Sequence, residues 1–477
     1  SLAGQINLIS NKPTSYFTGD GQLILGNDNM KSIALALGGP ILKRLSFRLA
    51  VQQSFQNGFR ENKFYQRNDT NKKDEFNLRA KIKWQIFPKL IIELTNFNAN
   101  LNNGYDIWAV DNNDEFITYT DSLGRDSQQS TANSLKLNLN DFFNTNSFYV
   151  YTKSNNQMEH SYDGDWGNDS FWLAEPYYFN QDSEGWAYSF WDETIRKRKR
   201  ESHEFRISSN LSNLSWIIGF YNSNLKELDT AKGYLFGGDA TDLKSEFSIN
   251  NNAIYGQISL KYLLNLTSSI NIRIEQNKTI YHSRGLNWGD PILEVSEKLA
   301  HFFSGFRFST TYSLSKNLNI YSNLSKGYKI GGINQNPKLT DSNRFFDPEY
   351  NTNFEIGSKF RSNKFALNIT IFNMSRIDQQ VQISSQQDID NPTSFTYYTS
   401  NATSGWNKGL ELDTKLFLNK NLNFYTSLGL LKTNINEFIY PIDDSTFVTL
   451  GNREQAMSPS YNLSLGINYL NDSGFFT

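Results

Sequence analysis

The chain has 477 residues, with 46 Lys+Arg against 48 Asp+Glu and a formal net charge of -2. A nearly neutral chain has no global attraction for polyanions, which argues against nucleic acid as a partner. There is no cysteine, so disulfide scaffolds, thiolate metal sites and cysteine nucleophiles are excluded. Hydrophobic residues reach only 38%, although 15% of residues are aromatic. No stretch approaches the roughly 18 consecutive apolar residues of a transmembrane helix.

Apolar and polar residues alternate along most of the chain. Because successive side chains of a strand point to opposite faces, each alternating run predicts a strand with one apolar and one polar face. Clear examples have apolar residues at Leu135, Leu137 and Leu139, at Ile270, Ile272 and Ile274, and at Tyr461, Leu463, Leu465, Ile467 and Tyr469. We count roughly eighteen runs of about ten residues, which is the length a tilted strand needs to cross a bilayer.

In chain order, the predicted strands lie near residues 16–25, 30–39, 45–55, 75–86, 89–99, 129–140, 146–157, 201–209, 215–224, 247–263, 267–281, 300–312, 317–326, 351–360, 363–376, 404–416, 421–432 and 459–469. Short connectors such as Phe87-Pro88, Ser212-Asn213 and Asn419-Lys420 alternate with long polar ones after the first hairpin. The long connectors are 56–74, 100–128, 158–200, 225–246, 282–299, 327–350, 377–403 and 433–458.

Alternating short and long connectors predict an up-and-down meander with all tight turns at one rim. The pattern is typical of outer-membrane barrels, which have short periplasmic turns and long extracellular loops. We therefore predict an all-β fold, a transmembrane antiparallel up-and-down β-barrel. A β-propeller would show a constant repeat and a parallel β-helix short fixed coils, and neither pattern is present. A soluble secreted β-protein used for adhesion is the least favoured alternative.

Six short segments of the chain each resemble a motif of one protein family, and they occur in the order in which that family has them. They are residues 4–14, 327–334, 346–350, 353–359, 409–413 and 427–429, the third and fourth reading Phe-Asp-Pro-Glu-Tyr and Asn-Phe-Glu-Ile-Gly-Ser-Lys. In these motifs the chain resembles the TonB-dependent outer-membrane receptors. The resemblance implies that residues 1–14 are the end of a plug domain and that residues 15–477 are a barrel. The family's barrels have 22 strands, so the resemblance also implies that the closing strands are missing and that 18–19 are present.

What the resemblance implies about function is TonB-dependent uptake of a scarce ligand through the Gram-negative outer membrane. Ferric siderophores are the commonest ligands of the family, and cobalamin, haem and oligosaccharides are the others. Implied partners are the TonB complex, contacted through the missing N-terminal region, an iron chelate or similar small ligand, and outer-membrane lipid and lipopolysaccharide. A passive porin remains the alternative, because lumen-facing charges such as Arg79, Arg273 and Glu411 suit a passive pore as well as a barrel filled by a polar plug. The sequence contains no enzyme motif and predicts no cofactor.

The densest aromatic cluster lies in the longest predicted loop. Rings at a barrel mouth supply contact area for a bulky ligand, and neighbouring carboxylates orient it. The candidate ligand-binding residues are Asp163, Asp165, Trp166, Trp172, Tyr177, Tyr178, Trp186, Tyr188 and Trp191. The competing interpretation is that these rings pack the loop against itself. No metal site is predicted, since Asp163, Asp165 and Asp169 lack a full calcium ligand set.

A basic run, Arg196-Lys197-Arg198-Lys199-Arg200, precedes the predicted strand of Phe205 and Ile207. By alternation the three arginines face the lumen, whereas Lys197 and Lys199 point outward. Outward cations near the outer leaflet meet lipid phosphates or form a solvated strand flank. His160 and His282 fall in or beside long loops, which leaves a weak ligand role open for them.

Overall fold

The computed structural model describes residues 7–142, 144–174, 180–184, 190–234, 239–287, 289–335, 339, 341–386, 395–441 and 447–469. Eighteen strands form one antiparallel sheet in which each strand pairs with its predecessor. They are β1 Thr18–Gly26, β2 Met30–Leu42, β3 Leu45–Gln56, β5 Lys73–Phe87, β6 Leu90–Tyr105, β8 Gly124–Phe142, β9 Thr145–Asp163, β10 Trp191–Asn210, β11 Leu214–Tyr234, β12 Asp239–Leu263, β13 Leu266–Asn287, β14 Asp290–Ser313, β15 Leu318–Lys329, β18 Glu349–Arg361, β19 Phe365–Gln386, β20 Phe395–Phe417, β21 Leu422–Ile435 and β24 Tyr461–Tyr469.

The remaining elements are short and lie in the connections. Strands β4 Glu61–Asn62, β7 Ile117–Thr118, β16 Gly332–Ile333, β17 Phe345–Phe346, β22 Phe438–Pro441 and β23 Phe447–Leu450 form three two-stranded pairs. The helices are α1 Asp169–Leu173, α2 Gln181–Glu184 and α3 Asp341–Arg344. None of the described helices has the length and apolar character needed to span a bilayer.

The sheet exposes its apolar face and buries its polar face, which is the reverse of a sheet in a soluble protein. Ile270, Ile272 and Ile274 on β13 are 51%, 52% and 57% exposed, as the alternation predicted. On the opposite face of the same strand, Glu275 and Asn277 are buried. An apolar outer surface with a polar interior is the arrangement that a bilayer stabilises. The predicted transmembrane sheet is therefore confirmed, with lipid on the face of Ile272 and the lumen on the other.

Eight short turns lie at one rim. The connectors that follow β2, β5, β8, β10, β12, β14, β18 and β20 have two to four residues. The opposite rim carries the short β1–β2 turn and the long connections, of which residues 164–190 form the longest. Outer-membrane barrels have short turns on the periplasmic side and long loops on the outside. We therefore call the rim with the eight short turns the inner rim and the opposite rim the outer rim.

Two of the predicted long loops are wrong. Residues 225–246 and 282–299 were expected to be loops, but β11 and β12 remain paired as far as Tyr234 and Ala240. Strands β13 and β14 likewise remain paired as far as Asn287 and Asp290. The alternation of apolar residues ends where lipid contact ends, whereas the backbone ladder continues into water and needs no apolar face. The strands are therefore much longer than the ten residues that the pattern predicted.

The first and last strands of the meander are not paired with each other among the described residues. The start of a nineteenth strand predicted at residues 474–477 lies outside the described residues. At the other end of the chain, Lys81 Nζ donates hydrogen bonds to the carbonyl oxygens of Ser10 and Asn11, at 3.1 and 3.0 Å. The segment before β1 therefore lies against the lumen face of β5. The plug assignment of residues 1–14 stays a prediction.

Candidate functional site

Three outer connections pack together into one unit, which we call the outer-loop cap: residues 57–72, 106–123 and 164–174. The first two are joined by the parallel pairing of β4 with β7, in which Glu61 pairs with Ile117 and Asn62 with Thr118. Asn62 and Thr118 are completely buried. Such a pairing between two loops fixes their relative position before any ligand arrives.

Asp106 holds the first two loops together. Its Oδ2 accepts hydrogen bonds from Asn62 Nδ2 at 3.0 Å and from Thr118 Oγ1 at 2.8 Å. Asn62 Nδ2 also donates to the carbonyl oxygen of Thr120 at 3.0 Å, and its Oδ1 accepts from the Tyr65 backbone N–H at 2.8 Å. Buried polar groups that are satisfied in this way specify a single arrangement of the chain.

Asp163 and Asp165 connect the third loop to this framework. Thr120 Oγ1 donates to Asp163 Oδ2, and the Asp165 backbone N–H donates to Asp163 Oδ1 at 3.2 Å. Asp165 accepts from the backbone N–H groups of Gly167 at 3.1 Å and Phe190 at 2.9 Å. Both carboxylates are buried, and the hydrogen bonds that they accept order the loop.

The pKa of the Asp163 carboxyl is raised from its usual 3.8 to about 7. Burial is the main cause, because removal from water disfavours the charged form. The hydrogen bond from Thr120 opposes the shift, and the nearby Asp165 carboxylate adds to it. The cap therefore contains a group that titrates near neutral pH.

Asn168 caps the N-terminus of helix α1, and its side chain accepts a hydrogen bond from the Phe171 backbone N–H. The same side chain donates from Nδ2 to the carbonyl oxygen of Tyr119 at 2.9 Å, which anchors α1 to the second loop. Trp172 then donates from Nε1 to Asp165 Oδ1 at 3.4 Å. This hydrogen bond connects the Trp172 ring to Asp165 within the same loop.

Trp166 lies on the surface of the cap. Its backbone has a positive φ of 61°, and its ring stacks on Trp108 with centroids 5.8 Å apart. Both rings are exposed, as are Phe59 and Phe116, whose rings meet edge to face at 5.4 Å. Exposed rings in the outer loops are candidates for a ligand-contact surface.

Sequence reasoning missed Trp108, Phe59 and Phe116, because they belong to loops other than the longest one. The available signal was the presence of aromatic residues in the loops 57–72 and 106–123. Of the other predicted site residues, Trp191 begins β10 and is 37% exposed. Tyr177, Tyr178, Trp186 and Tyr188 lie outside the described residues. The assignment of ligand contacts to this loop stays a prediction.

A polar cavity of about 880 Å³ lies in the lumen against β10 to β15. Its charged lining consists of Arg200, Glu204, Arg206, Arg273, Glu275 and Lys326. Arg200 Nη2 donates to Tyr221 Oη at 2.8 Å, and Arg273 Nε donates to Glu275 Oε2 at 2.8 Å. Four cations against two carboxylates give this part of the lumen a positive charge. The predicted lumen orientation of Arg273 is confirmed.

His160 and His282, for which the sequence left a ligand role open, contact other side chains of the chain. The His160 ring packs edge to face on Tyr105 with centroids 4.5 Å apart, and His282 Nε2 lies 2.9 Å from Glu294 Oε1. Within the described part of the chain, no three His, Asp or Glu side chains are placed to hold a metal ion.

An eighteen-stranded antiparallel meander with an apolar outer face, tight turns at one rim and a cap of loops at the other defines an outer-membrane β-barrel protein. Residues 81–477 match the family model described as "TonB dependent receptor-like, beta-barrel". The chain therefore belongs to the TonB-dependent receptor family, whose members are receptors and transporters of the Gram-negative outer membrane rather than enzymes. No functionally curated protein matches the chain in sequence.

Solved receptors share the fold at low sequence identity. The ferric yersiniabactin uptake receptor FyuA from Yersinia pestis superposes with a TM-score of 0.76 at 13% identity, over 96% of this chain and 66% of that one. The ferric-catecholate import receptor Fiu from E. coli gives 0.70 at 14%, over 98% and 71%. The ferripyoverdine receptor of Pseudomonas aeruginosa, bound to ferripyoverdine, gives 0.65 at 13%, over 96% and 60%. The chain thus spans about two thirds of the length of these receptors.

Proposed function

We propose that this chain is the barrel of a receptor that imports a ferric siderophore across the outer membrane with energy from the TonB complex. The observation that carries the proposal is the family match over residues 81–477. The three solved receptors of like fold are named for ferric chelates, which supports iron chelates as the ligand class.

The charge of the lumen supports an anionic ligand. Arg200, Arg206, Arg273 and Lys326 outnumber Glu204 and Glu275 in the cavity against β10 to β15. A cleft lined by one sign of charge raises the local concentration of oppositely charged solutes. An iron chelate with a net negative charge is attracted to such a path, whereas a neutral oligosaccharide is not.

Growth rescue tests the ligand class. A strain lacking its other iron receptors is given the intact gene and grown on catecholate, hydroxamate and phenolate iron chelates, with haem and cobalamin as the comparison ligands. We expect growth on at least one iron chelate, and only when TonB is present. Rescue that persists without TonB would instead indicate the passive porin.

The exposed rings of the cap are the proposed capture surface. Trp166→Ala and Trp108→Ala should each weaken binding of the rescuing chelate by about 1–3 kcal/mol, because stacked rings at a binding surface are frequent hot spots. Trp172→Phe is the matched control, since this change removes the hydrogen bond to Asp165 and leaves the exposed rings in place.

The two outcomes separate capture from self-packing. Reduced affinity with unchanged surface abundance supports capture by the exposed rings. Unchanged affinity in both alanine variants, with increased proteolysis of the loop, would assign Trp166 and Trp108 to packing alone.

A further inference from the structure

The eight turns of the inner rim carry positive charge only. Together they contain six lysines and arginines and no aspartate or glutamate. All six residues are exposed, and they are Lys43, Arg44, Lys89, Lys316, Lys364 and Lys420. The outer connections 106–123 and 164–190, by contrast, contain five acidic residues each and no basic one. The excess of cations is therefore a property of the inner rim and not of the surface in general.

These charges are unevenly distributed around the rim. The three consecutive turns after β14, β18 and β20 hold Lys316, Lys364 and Lys420, and Arg361 is the last residue of β18. The three consecutive turns after β8, β10 and β12 contain no charged residue. Successive turns are two strand spacings apart, which places them at least about 10 Å from one another along the rim. We call Lys316, Arg361, Lys364 and Lys420 the cationic arc.

Each of the three turns of the arc is closed by a polar side chain that precedes its lysine. Ser315 Oγ accepts a hydrogen bond at 3.2 Å from the backbone N–H two residues further on. Ser362 Oγ and Asn419 Oδ1 each accept one from the backbone N–H three residues further on, at 3.1 and 2.8 Å. The three lysines are therefore attached to ordered turns, which fixes the spacing of their backbones.

The charge of the arc is not neutralised within the described part of the chain. Lys89, in the turn after β5, has an acidic partner, with its Nζ 3.3 Å from Asp141 Oδ2. The described residues form no ion pair of this kind with the four cations of the arc. Exposed cations without an internal partner attract acidic groups from outside the chain.

Attraction to lipid does not account for this distribution. Lipid headgroups surround a barrel on all sides, so attraction to their phosphates would favour cations in every turn of the rim. Three consecutive turns have none. A folded protein, by contrast, covers one part of a rim, because a specific interface buries about 800 Å² on each partner, a patch roughly 30 Å across. The three charged turns fit within such a patch.

We propose that the cationic arc binds an acidic protein of the periplasm at one side of the inner rim. Carboxylates on the surface of this partner pair with Lys316, Lys364 and Lys420. Complementary charges of this kind steer the encounter and fix the register of two proteins. The proposal does not depend on which ligand the barrel imports, because the arc lies on the turns and not in the lumen.

Photo-crosslinking in intact cells that carry the intact gene tests the proposal. A photoreactive phenylalanine analogue is placed singly at Asn317 or Asn363, which are exposed in the turns of the arc. Asn213 and Asn265 are the matched control positions, because they are exposed in uncharged turns of the same rim. We expect an adduct with an acidic protein, identified by mass spectrometry, at the first two positions and no protein adduct at the controls.

Charge substitutions separate binding from folding. The Lys316→Gln/Lys364→Gln/Lys420→Gln variant should lose the adduct and should bind the identified protein, once purified, about tenfold more weakly, because three exposed ion pairs are lost. The corresponding variant with arginine at the three positions keeps the charge and should keep the adduct. Adduct yield is measured per receptor molecule in the outer membrane, so that a change in abundance does not imitate a loss of binding.

The Lys43→Gln/Arg44→Gln/Lys89→Gln variant is the control for charge, since it removes the same charge from other turns of the inner rim and should keep the adduct. Equal losses in the two glutamine variants would overturn the proposal, as would protein adducts of equal yield at Asn213 and Asn363. Adducts with lipid or peptidoglycan alone, an adduct with a basic protein, or no protein adduct at either position of the arc would likewise refute it.

Discussion

At the scale of single residues, the cap is ordered by two carboxylates that the sequence also singled out as candidate site residues. The ligand role of Asp163 and Asp165 stays a prediction, and in the structure both carboxylates accept hydrogen bonds, from Thr120 and from backbone N–H groups. Their position beside an aromatic loop was visible in the sequence. Their partners were not, because Thr120 and Asp163 are 43 residues apart and no periodicity connects two loops.

The raised pKa of Asp163 predicts a pH-dependent cap. The native carboxyl keeps its proton between its usual pKa of 3.8 and about 7, whereas the unfolded carboxyl has lost it. The native state therefore binds more protons than the unfolded state in this window, and the stability of the cap falls as pH rises, by up to about 1.4 kcal/mol per pH unit. Below pH 4 this contribution is fully present.

Hydrogen exchange of residues 164–174, corrected for the intrinsic rate, measures this effect between pH 5.5 and 7.5. Protection should decrease with pH in the unchanged protein and should be nearly constant in Asp163→Asn. Asp182→Asn, in the same connection but exposed, is the control and should keep the slope. A slope that survives in Asp163→Asn would assign the titration to another group.

At the scale of strands, the orientation of β13 predicts that the same substitution has different effects at two neighbouring positions. Ile272→Arg places a cation in the lipid and should cost about 2–4 kcal/mol if the residue lies near the midplane. Asn271→Arg, one residue away on the lumen face, should leave the free energy of unfolding nearly unchanged. Refolding titrations into lipid measure both changes, and equal costs at the two positions would contradict the assignment of the faces.

Glycines in the strands make room for aromatic rings of the next strand. Gly357 pairs directly with Tyr321, and a Cβ at Gly357 would lie 2.6 Å from both Tyr321 Cζ and the Ile369 carbonyl oxygen. Because one of these contacts is with backbone, Gly357→Ala should destabilise the barrel by about 1–3 kcal/mol. Gly429→Ala is the matched control, since a Cβ there meets no atom within 4 Å. Thermal unfolding in detergent compares the two variants.

At the scale of the whole molecule, the meander fixes which rim faces the medium. Single cysteines at Leu173 in α1 and Asn213 in an inner turn are clean probes, because the chain has no cysteine of its own. An impermeant maleimide added to intact cells should label Leu173→Cys and spare Asn213→Cys. Labelling of both after permeabilisation is the control, and the reverse pattern on intact cells would invert the topology.

The sequence by itself determined the number of strands in the main sheet, their order, the lipid-facing residues and the positions of the inner-rim turns. These features are local, because alternation reports the face of each residue and a turn needs only two to four residues. The tertiary structure alone decided where strands end above the membrane, as for β11 to β14, and which loops meet. Backbone pairing in water needs no apolar pattern, and contacts such as Asn62 with Asp106 join loops distant in sequence. Only the folded chain therefore brings together the loops of the outer-loop cap.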